Sequence, residues 1–377
     1  RQVIYEEGPE NSMVIHLTLI PYLSATGELK TKPTQHSVKT LMELGLKADV
    51  LVCRSERDLS DEVKNKLALF CNVKLDCVIQ SIDVETIYDV PLKMRDEGLD
   101  KVTLQKLNIK ESEPNLDKWK NFLHKLKNPT QQINIGLVGK YVELNDSYKS
   151  ILESLIHAGT ENEVKVNVKS IHSEYLKKEN INKELIDLDG IIVAPGFGQR
   201  GLDGKILAVE YSRVNKVPFL GICLGMQMAV IEYARNVKKI RYANSTEISE
   251  KCKDPVIDLM ISQKEIINKG GTMRLGAWDC EILKNTISNK IYSKKVVSER
   301  HRHRYEFNNE YSKKIFDDNF IIAGKNPETN LVEIVENKDH PWFVGVQFHP
   351  EYKSSVYNPH PIFVNFVKAS LKNYLKK

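Results

Sequence analysis

Cys223 stands in Gly221-Ile-Cys223-Leu-Gly225, a glycine–x–nucleophile–x–glycine spacing. The spacing predicts a strand ending at the cysteine, a tight turn, and a helix starting immediately after it. The glycines let the backbone turn sharply. The helix N-terminus brings amide donors and a positive dipole to the sulfur, which favours thiolate and attack on a carbonyl carbon. The plain alternative is a buried structural cysteine; the polar Gln227 in an otherwise apolar run favours the nucleophile. A thiol nucleophile needs a base and a group that orients the base. In Gln347-Phe-His349-Pro-Glu351, His349 and Glu351 share a face of an extended segment, so His349 is the candidate base and Glu351 its orienter. Taken alone, that pair reads more readily as a satisfied surface pair; Cys223 upstream on its own elbow reverses the balance. Ala194-Pro195-Gly196-Phe197-Gly198 follows another apolar run. The N–H groups of Gly196 and Leu224 are the candidate oxyanion donors, against the alternative of a glycine turn without a role.

The elements that must position these groups alternate between strand and helix. Apolar runs at 13–20, 50–53 and 77–80 predict strands, and helical periods at 35–44, 60–70 (Ser60 as N-cap) and 86–99 predict crossover helices. Three strands are few for a closed α/β domain, so residues 1–110 are expected to be the later part of one. Residues 111–132 predict a linker carrying an amphipathic helix, with Trp119, Phe122, Leu123 and Leu126 on one stripe. A second α/β pattern fills 133–377. It has strands at 133–138, 164–170, 190–194 and 218–222, helices at 147–158, 201–215 and 224–235, and a last helix at 361–374. Alternating segments at 275–282, 331–335 and 342–348 predict antiparallel additions. The expected fold class is α/β, two parallel-sheet Rossmann-like domains, the second with those additions.

Composition narrows the setting. Of 377 residues 41% are hydrophobic and 28% charged, the profile of a globular protein able to bury more than one core. Fifty-five basic residues against 50 acidic give a net charge of +5, too mixed to indicate a nucleic-acid partner. The apolar stretch 217–231 is interrupted and too short to span a bilayer, which argues against a membrane partner. Six cysteines without C-x-x-C or metal spacing predict a reducing, cytoplasmic setting and no metal site.

Longer strings carry a resemblance. Besides PGFG, GICLGMQ and FHPE, which look like a triad-type glutamine amidotransferase, the chain contains KTKPTQHSVK, ALFCNV, ANSTE, GGTMRLG, ERHRHRYE and HPWFVGVQFHPE. Together they resemble the CTP synthases along nearly the whole chain. The resemblance implies glutamine hydrolysis by Cys223, His349 and Glu351. It also implies ammonia transfer to a UTP activated by ATP, the last step of de novo CTP formation. It implies glutamine contacts at Gly196, Leu224, Gly225, Met226, Gln227, Glu247 and Arg304; an arginine suits the substrate carboxylate and a glutamate its ammonium. The basic run 300–304 would otherwise suggest a nucleic-acid patch, which its histidines and shortness disfavour. UTP, or CTP as inhibitor, would be held by Lys30, Thr31, Lys32, Pro33, Thr34, Gln35 and Lys66, with Phe70 and Asn72 nearby. Asp83 and Val84 would lie by the adenine of ATP. GTP would activate, with segment 270–276 as a candidate lid, and the assembly would be a homotetramer able to form filaments. Two departures from the family pattern stand out. Pro195 occupies the place of a usual glycine, and no G-x-x-x-x-G-K-[ST]-like loop occurs. The loop for ATP phosphates and the acidic Mg²⁺ ligands belong to an earlier part of the synthetase domain. The chain is therefore expected to be a piece of a longer one, hydrolysing glutamine but making no CTP by itself. Other readings are a different glutamine amidotransferase, a γ-glutamyl hydrolase, or a non-catalytic filament subunit.

Overall fold

Ser60 caps a helix as its sequence predicts: its side chain accepts from the Val63 N–H, and Asp61–Cys71 follows as helix. The computed structural model describes residues 1–143, 145–249, 251–259 and 273–377. These form two units, Arg1–Leu116 and Asp117–Lys377.

In the first unit the strands Ile15–Leu19, Val50–Ser55 and Val78–Ile82 form a parallel sheet in that order. Helices Lys32–Glu43 and Asp61–Cys71 bury Val38 and Leu67 against Leu51 and Cys53. The edge strand leaves Ile15, Leu17 and Leu19 exposed. The single helix expected over 86–99 is broken. A 3₁₀ turn (Ile87–Asp89) leads into Val90–Asp96, Gly98 turns at φ +84°, and Leu99–Lys106 starts anew. A positive φ suits glycine and ends the helix there.

In the second unit, nine strands among the described residues form one sheet. Its order is Val296–His303, Arg274–Ile282, Phe320–Lys325, Val332–Asn337, Phe343–Val346, Phe219–Ile222, Gly190–Val193, Gln131–Gly139 and Val164–His172. The last five run parallel, and the first four join by antiparallel pairing. Ile191 and Val193 face one buried cluster while Ile192 and Ala194 face the other. Such strands, covered on both faces, read as unbroken apolar runs. Helices Leu202–Asn215 and Leu224–Glu232 pack together on one side, Lys149–Glu161 and Pro361–Tyr374 on the other. The helix predicted over 224–235 leaves α geometry at Glu232 and continues as a π turn over Tyr233–Val237. The amphipathic helix, Asp117–Lys127, belongs to this unit and not to a separate linker. It buries Phe122 and Leu123, with the Phe122 ring 6.2 Å from His157. A small sheet of Ala243–Ser245, Asp254–Leu259 and Tyr305–Phe307 lies apart from the large one.

Two strands of the large sheet went unforeseen in the sequence, Val296–His303 and Phe320–Lys325, as did all three of the small sheet and the short pair Tyr22–Leu23 and Glu28–Leu29. The first alternates strictly, but its inward face is Val297, Glu299, His301 and His303, three of them polar.

One buried histidine gives the second unit an acid limit. His340 Nε2 lies 3.0 Å from the Ser212 carbonyl oxygen, and its Nδ1 accepts from the Trp342 N–H. Burial pushes its pKa down to about 4. An unfolded histidine takes up its proton near pH 6.5, so between 6.5 and 4 the unfolded chain binds more protons and stability is lost as pH falls. The full effect is about 3 kcal/mol. Between pH 7 and 5 the thermal midpoint of the wild type is expected to fall more steeply than that of His340→Gln. Parallel curves would contradict this.

Candidate active site

Three loops meet because three neighbouring parallel strands end side by side. Gly190–Val193 leads into Ala194–Gly198, Phe219–Ile222 into Cys223, and Phe343–Val346 into Gln347–Glu351. In open α/β sheets, ligands bind at such carboxyl edges.

Cys223 has φ +51° and ψ −104°, a conformation that costs a non-glycine residue roughly 1–3 kcal/mol. Packing imposes it. The Cys223 N–H donates to the Val346 carbonyl at 2.7 Å, and helix Leu224–Glu232 starts at the next residue. A Cβ on Gly225 would lie 2.1 Å from the Val193 carbonyl oxygen, and one on Gly221 would lie 2.7 Å from the Gly225 carbonyl carbon. The two glycines are needed for close approach, not for unusual φ. Cys223 is only 4% exposed.

His349 Nδ1 lies 2.7 Å from Glu351 Oε1, both side chains buried. Burial alone would push the imidazole down. Cys223 and then Glu351 more than offset it and hold the His349 pKa well above the ordinary histidine value. Its Nε2 is buried and makes no aligned hydrogen bond, although the sulfur is near enough to act on the ring. The His349 N–H donates to the Arg300 carbonyl at 2.8 Å, and Tyr352 stacks on its ring at 5.1 Å. The arrangement brings a thiol, an imidazole and a carboxylate together, groups that can serve as nucleophile, proton carrier and orienter.

Gln347 was not given a role from sequence. Its Nε2 lies 3.7 Å from the Cys223 sulfur. Gln227 Nε2 donates to Gln347 Oε1 at 3.2 Å and to the Tyr305 carbonyl at 2.9 Å. The predicted substrate contact at Gln227 is thus occupied in a relay beneath the sulfur. Its polarity in an apolar run was the available signal. Leu224, Gly225 and Met226 are buried along the same helix. Gly196 adjoins it: a Cβ there would lie 3.8 Å from Leu224 Cδ2.

Glu247 and Arg304 come to one end of the small sheet. Glu247 follows the strand Ala243–Ser245, which pairs parallel with Asp254–Leu259, and Arg304 precedes Tyr305–Phe307, which pairs antiparallel. Glu247 Oε1 accepts from the Gly198 N–H at 2.7 Å, which ties that end to the loop 194–198.

Of the predicted lid 270–276, residues 270–272 lie outside the described residues. Arg274 does not face a ligand. Its side chain is 1% exposed, with Nη1 2.8 Å from Glu333 Oε1 and 3.5 Å from Glu306 Oε1. Burial, opposed by Arg274, pushes Glu306 up to about 8 and Glu333 up to about 7. His301 Nδ1 and His303 Nε2 lie 2.8 Å apart beside this cluster.

In the first unit, Lys30–Gln35 follow the strand Ile15–Leu19 and Asp83 follows Val78–Ile82, so both stand at the carboxyl edge of the sheet. Lys30 pairs with Glu28 at 2.5 Å, and Lys66 acts on the same carboxylate. Pro33 lies in the first turn of the helix Lys32–Glu43. Thr31 Oγ1 accepts from Gln35 Nε2 at 3.1 Å. Thr34 is fully buried and donates to the Leu19 carbonyl, so its hydroxyl faces the core and not a triphosphate. Asp83 is exposed and paired with Arg54 at 3.3 Å; Val84 is half-buried. Asn72 does not join this group. Its crossover helix runs antiparallel to the strands, and Asn72 lines a cavity with Met13, Val50 and Cys77 at their opposite ends; Phe70 lies two residues before it.

Residues 143–369 match the family described as glutamine amidotransferase class-I. A solved structure described as "Trypanosoma brucei CTPS - glutaminase domain with bound acivicin" matches with a TM-score of 0.60 at 38% identity, covering 64% of this chain and 94% of that one. The second unit is a class-I glutamine amidotransferase domain. Residues 1–109 match the CTP synthase N-terminus. The CTP synthase of Christiangramia forsetii is 62% identical over 100% of this chain and 69% of its own length. That of Flavobacterium johnsoniae is 61% identical (100% and 70%), and that of Clostridium kluyveri 52% (99% and 70%). The chain belongs to the CTP synthase family, enzymes of the ligase class with a glutaminase domain.

Proposed function

We propose that the second unit releases ammonia from glutamine through Cys223, His349 and Glu351, and that the first unit belongs to the machinery that adds this ammonia to UTP. The observation that carries the reading is the strained Cys223 at a helix N-terminus beside a histidine held 2.7 Å from a glutamate. The Cys223 thiol gives its proton to His349 Nε2, the sulfur forms a bond to the substrate amide carbon, and the carbonyl electrons move onto oxygen. The N–H groups of Gly196 and Leu224 receive that oxyanion. His349 Nε2 passes its proton to the amide nitrogen, the C–N bond breaks and ammonia leaves. Water, deprotonated by His349, then cleaves the thioester to glutamate and restores the thiol. Glu351 accepts from His349 Nδ1 and so keeps Nε2 turned toward the sulfur throughout.

Glu247 and Arg304, at one end of the small sheet, suit the ammonium and carboxylate of free glutamine. A carboxylate clamp holds ground and transition states alike, so Arg304→Ala is expected to raise KM for glutamine far more than it lowers kcat. Steady-state glutamate release checks this, and a kcat loss at unchanged KM would contradict it.

UTP is proposed to meet Lys30, Lys32 and Lys66, and ATP to meet the neighbourhood of Asp83 and Val84. ATP brings Mg²⁺, which neutralises phosphate charge during transfer. Among the described residues no group of three or more His, Cys, Asp or Glu is arranged to hold a metal ion. GTP is proposed as activator of the glutaminase.

Glutamate release from glutamine, measured with and without GTP, tests the reading. Release that GTP accelerates is expected. No release would contradict the glutaminase assignment. Release indifferent to GTP would favour a free-standing glutamine hydrolase.

A further inference from the structure

Two lysines that the proposed chemistry does not use lie under the oxyanion loop. Lys205, in the first turn of helix Leu202–Asn215, has no solvent exposure. Its Nζ donates to the Ala194 carbonyl at 2.5 Å and lies 3.4 Å from that of Pro195. Lys140, just past strand Gln131–Gly139, is 3% exposed and donates to the carbonyls of Phe197 at 2.5 Å and Gly198 at 2.6 Å. Four of the five carbonyls from Ala194 to Gly198 thus turn toward an ammonium group; Gly196 is the exception.

A trans peptide points its C=O and N–H in opposite directions. Fixing one therefore aims the other. The effect is visible on the Phe197–Gly198 peptide: Lys140 takes the Phe197 oxygen, and the Gly198 N–H donates to Glu247 at 2.7 Å. On the Pro195–Gly196 peptide, Lys205 takes the Pro195 oxygen, and the Gly196 N–H is turned away from Lys205. A Cβ on Gly196 would lie 3.7 Å from Lys205 Nζ and 3.8 Å from Leu224 Cδ2, so this peptide lies between the lysine and the start of the elbow helix. Pro195 has no N–H, so it cannot anchor the loop by donating from its own backbone nitrogen.

We infer that Lys205 is a positioning residue for glutamine hydrolysis. It sets the plane of the Pro195–Gly196 peptide so that the Gly196 N–H meets the oxyanion, while Lys140 does the same for the Gly198–Glu247 end that meets the substrate ammonium. This rests on the glutaminase reading above. Burial, with the charge of Lys140 adding to it, pushes the Lys205 amine down to about 7, against Cys223 and Glu247, which raise it. A buried cation with this little solvation persists only where acceptors are fixed around it. Its positive charge lies within electrostatic reach of Cys223.

The test uses the whole chain and compares wild type, Lys205→Met and Lys205→Gln in two reactions of Cys223. Glutamine hydrolysis builds an oxyanion. Alkylation by iodoacetamide displaces iodide from carbon and builds none at the carbonyl. Lys205→Met is expected to lower kcat for hydrolysis about a hundredfold, the scale of losing one oxyanion donor. KM and the alkylation rate should stay within a few-fold of wild type. Lys205→Gln, which keeps a donor, should fall between. Lys140→Met should instead raise KM. Unchanged kcat in Lys205→Met would overturn the role, and so would equal losses in hydrolysis and alkylation, because the lysine would then only hold the elbow together. If Lys205→Met does not fold, Lys205→Gln alone decides by the same comparison. A wild type that is alkylated at Cys223 but releases no glutamate would overturn the glutaminase reading itself.

Discussion

Cys223→Ala is expected to reduce glutamate release from glutamine to background, a loss on the order of a millionfold in kcat where the nucleophile is removed outright. Nothing else at the site can take its place. Gln347, 3.7 Å from the sulfur, is an amide, and His349 is held by Glu351. The fold should survive, because alanine fills most of the volume of a buried cysteine and relieves no contact that holds the helix Leu224–Glu232 in place. CTP formation from added ammonium, in an enzyme carrying out the complete reaction, should persist, since the triad only supplies nitrogen. A variant that still hydrolyses glutamine would show that Cys223 is structural. So would one that also loses ammonium-dependent synthesis.

His349→Ala is expected to lower kcat by about three to four orders of magnitude, and Glu351→Ala by less. The reasoning turns on what water can replace. A water molecule entering beside His349 can accept the Nδ1 proton that Glu351 accepts at 2.7 Å, and the ring still carries a proton to the leaving nitrogen. No water can occupy the Nε2 position with the same basicity and alignment. Removing Glu351 also withdraws one of the two charges that hold the His349 pKa up, Cys223 being the larger. The Glu351→Ala pH profile should therefore show its histidine limb displaced toward lower pH. A larger loss from Glu351→Ala than from His349→Ala would reverse the assigned roles.

How far the sequence disclosed this site depended on which force shaped each residue. The elbow was legible because close approach demands glycine at 221 and 225, and because the strand and helix around it are apolar throughout. The helix Pro361–Tyr374 was legible to the residue, with proline opening its first turn. The strand Val296–His303 was hidden because its inward positions carry Glu299, His301 and His303 where a sheet ordinarily presents apolar side chains. Lys140 and Lys205 were hidden for the same reason in reverse. A lysine is assigned to solvent by default, and only the loop carbonyls facing them show why these two are buried. Thr34 misled in the other direction: a hydroxyl beside lysines suits a phosphate, yet the helix packs it onto the Leu19 carbonyl. Arg274 sits in a glycine-rich segment that suggests a mobile lid, and it is fixed between Glu333 and Glu306. In each case the outcome depends on which groups lie nearby in space but far apart in the chain.

The central claim is that Cys223 carries the glutamyl group. Acid quenching the chain during turnover of carbon-labelled glutamine, followed by digestion and peptide mass analysis, tests it directly. The account predicts label on the peptide containing Cys223, as a base-labile thioester that chases into glutamate when unlabelled glutamine is added. Glutamate release at the normal rate with that peptide unlabelled would contradict it.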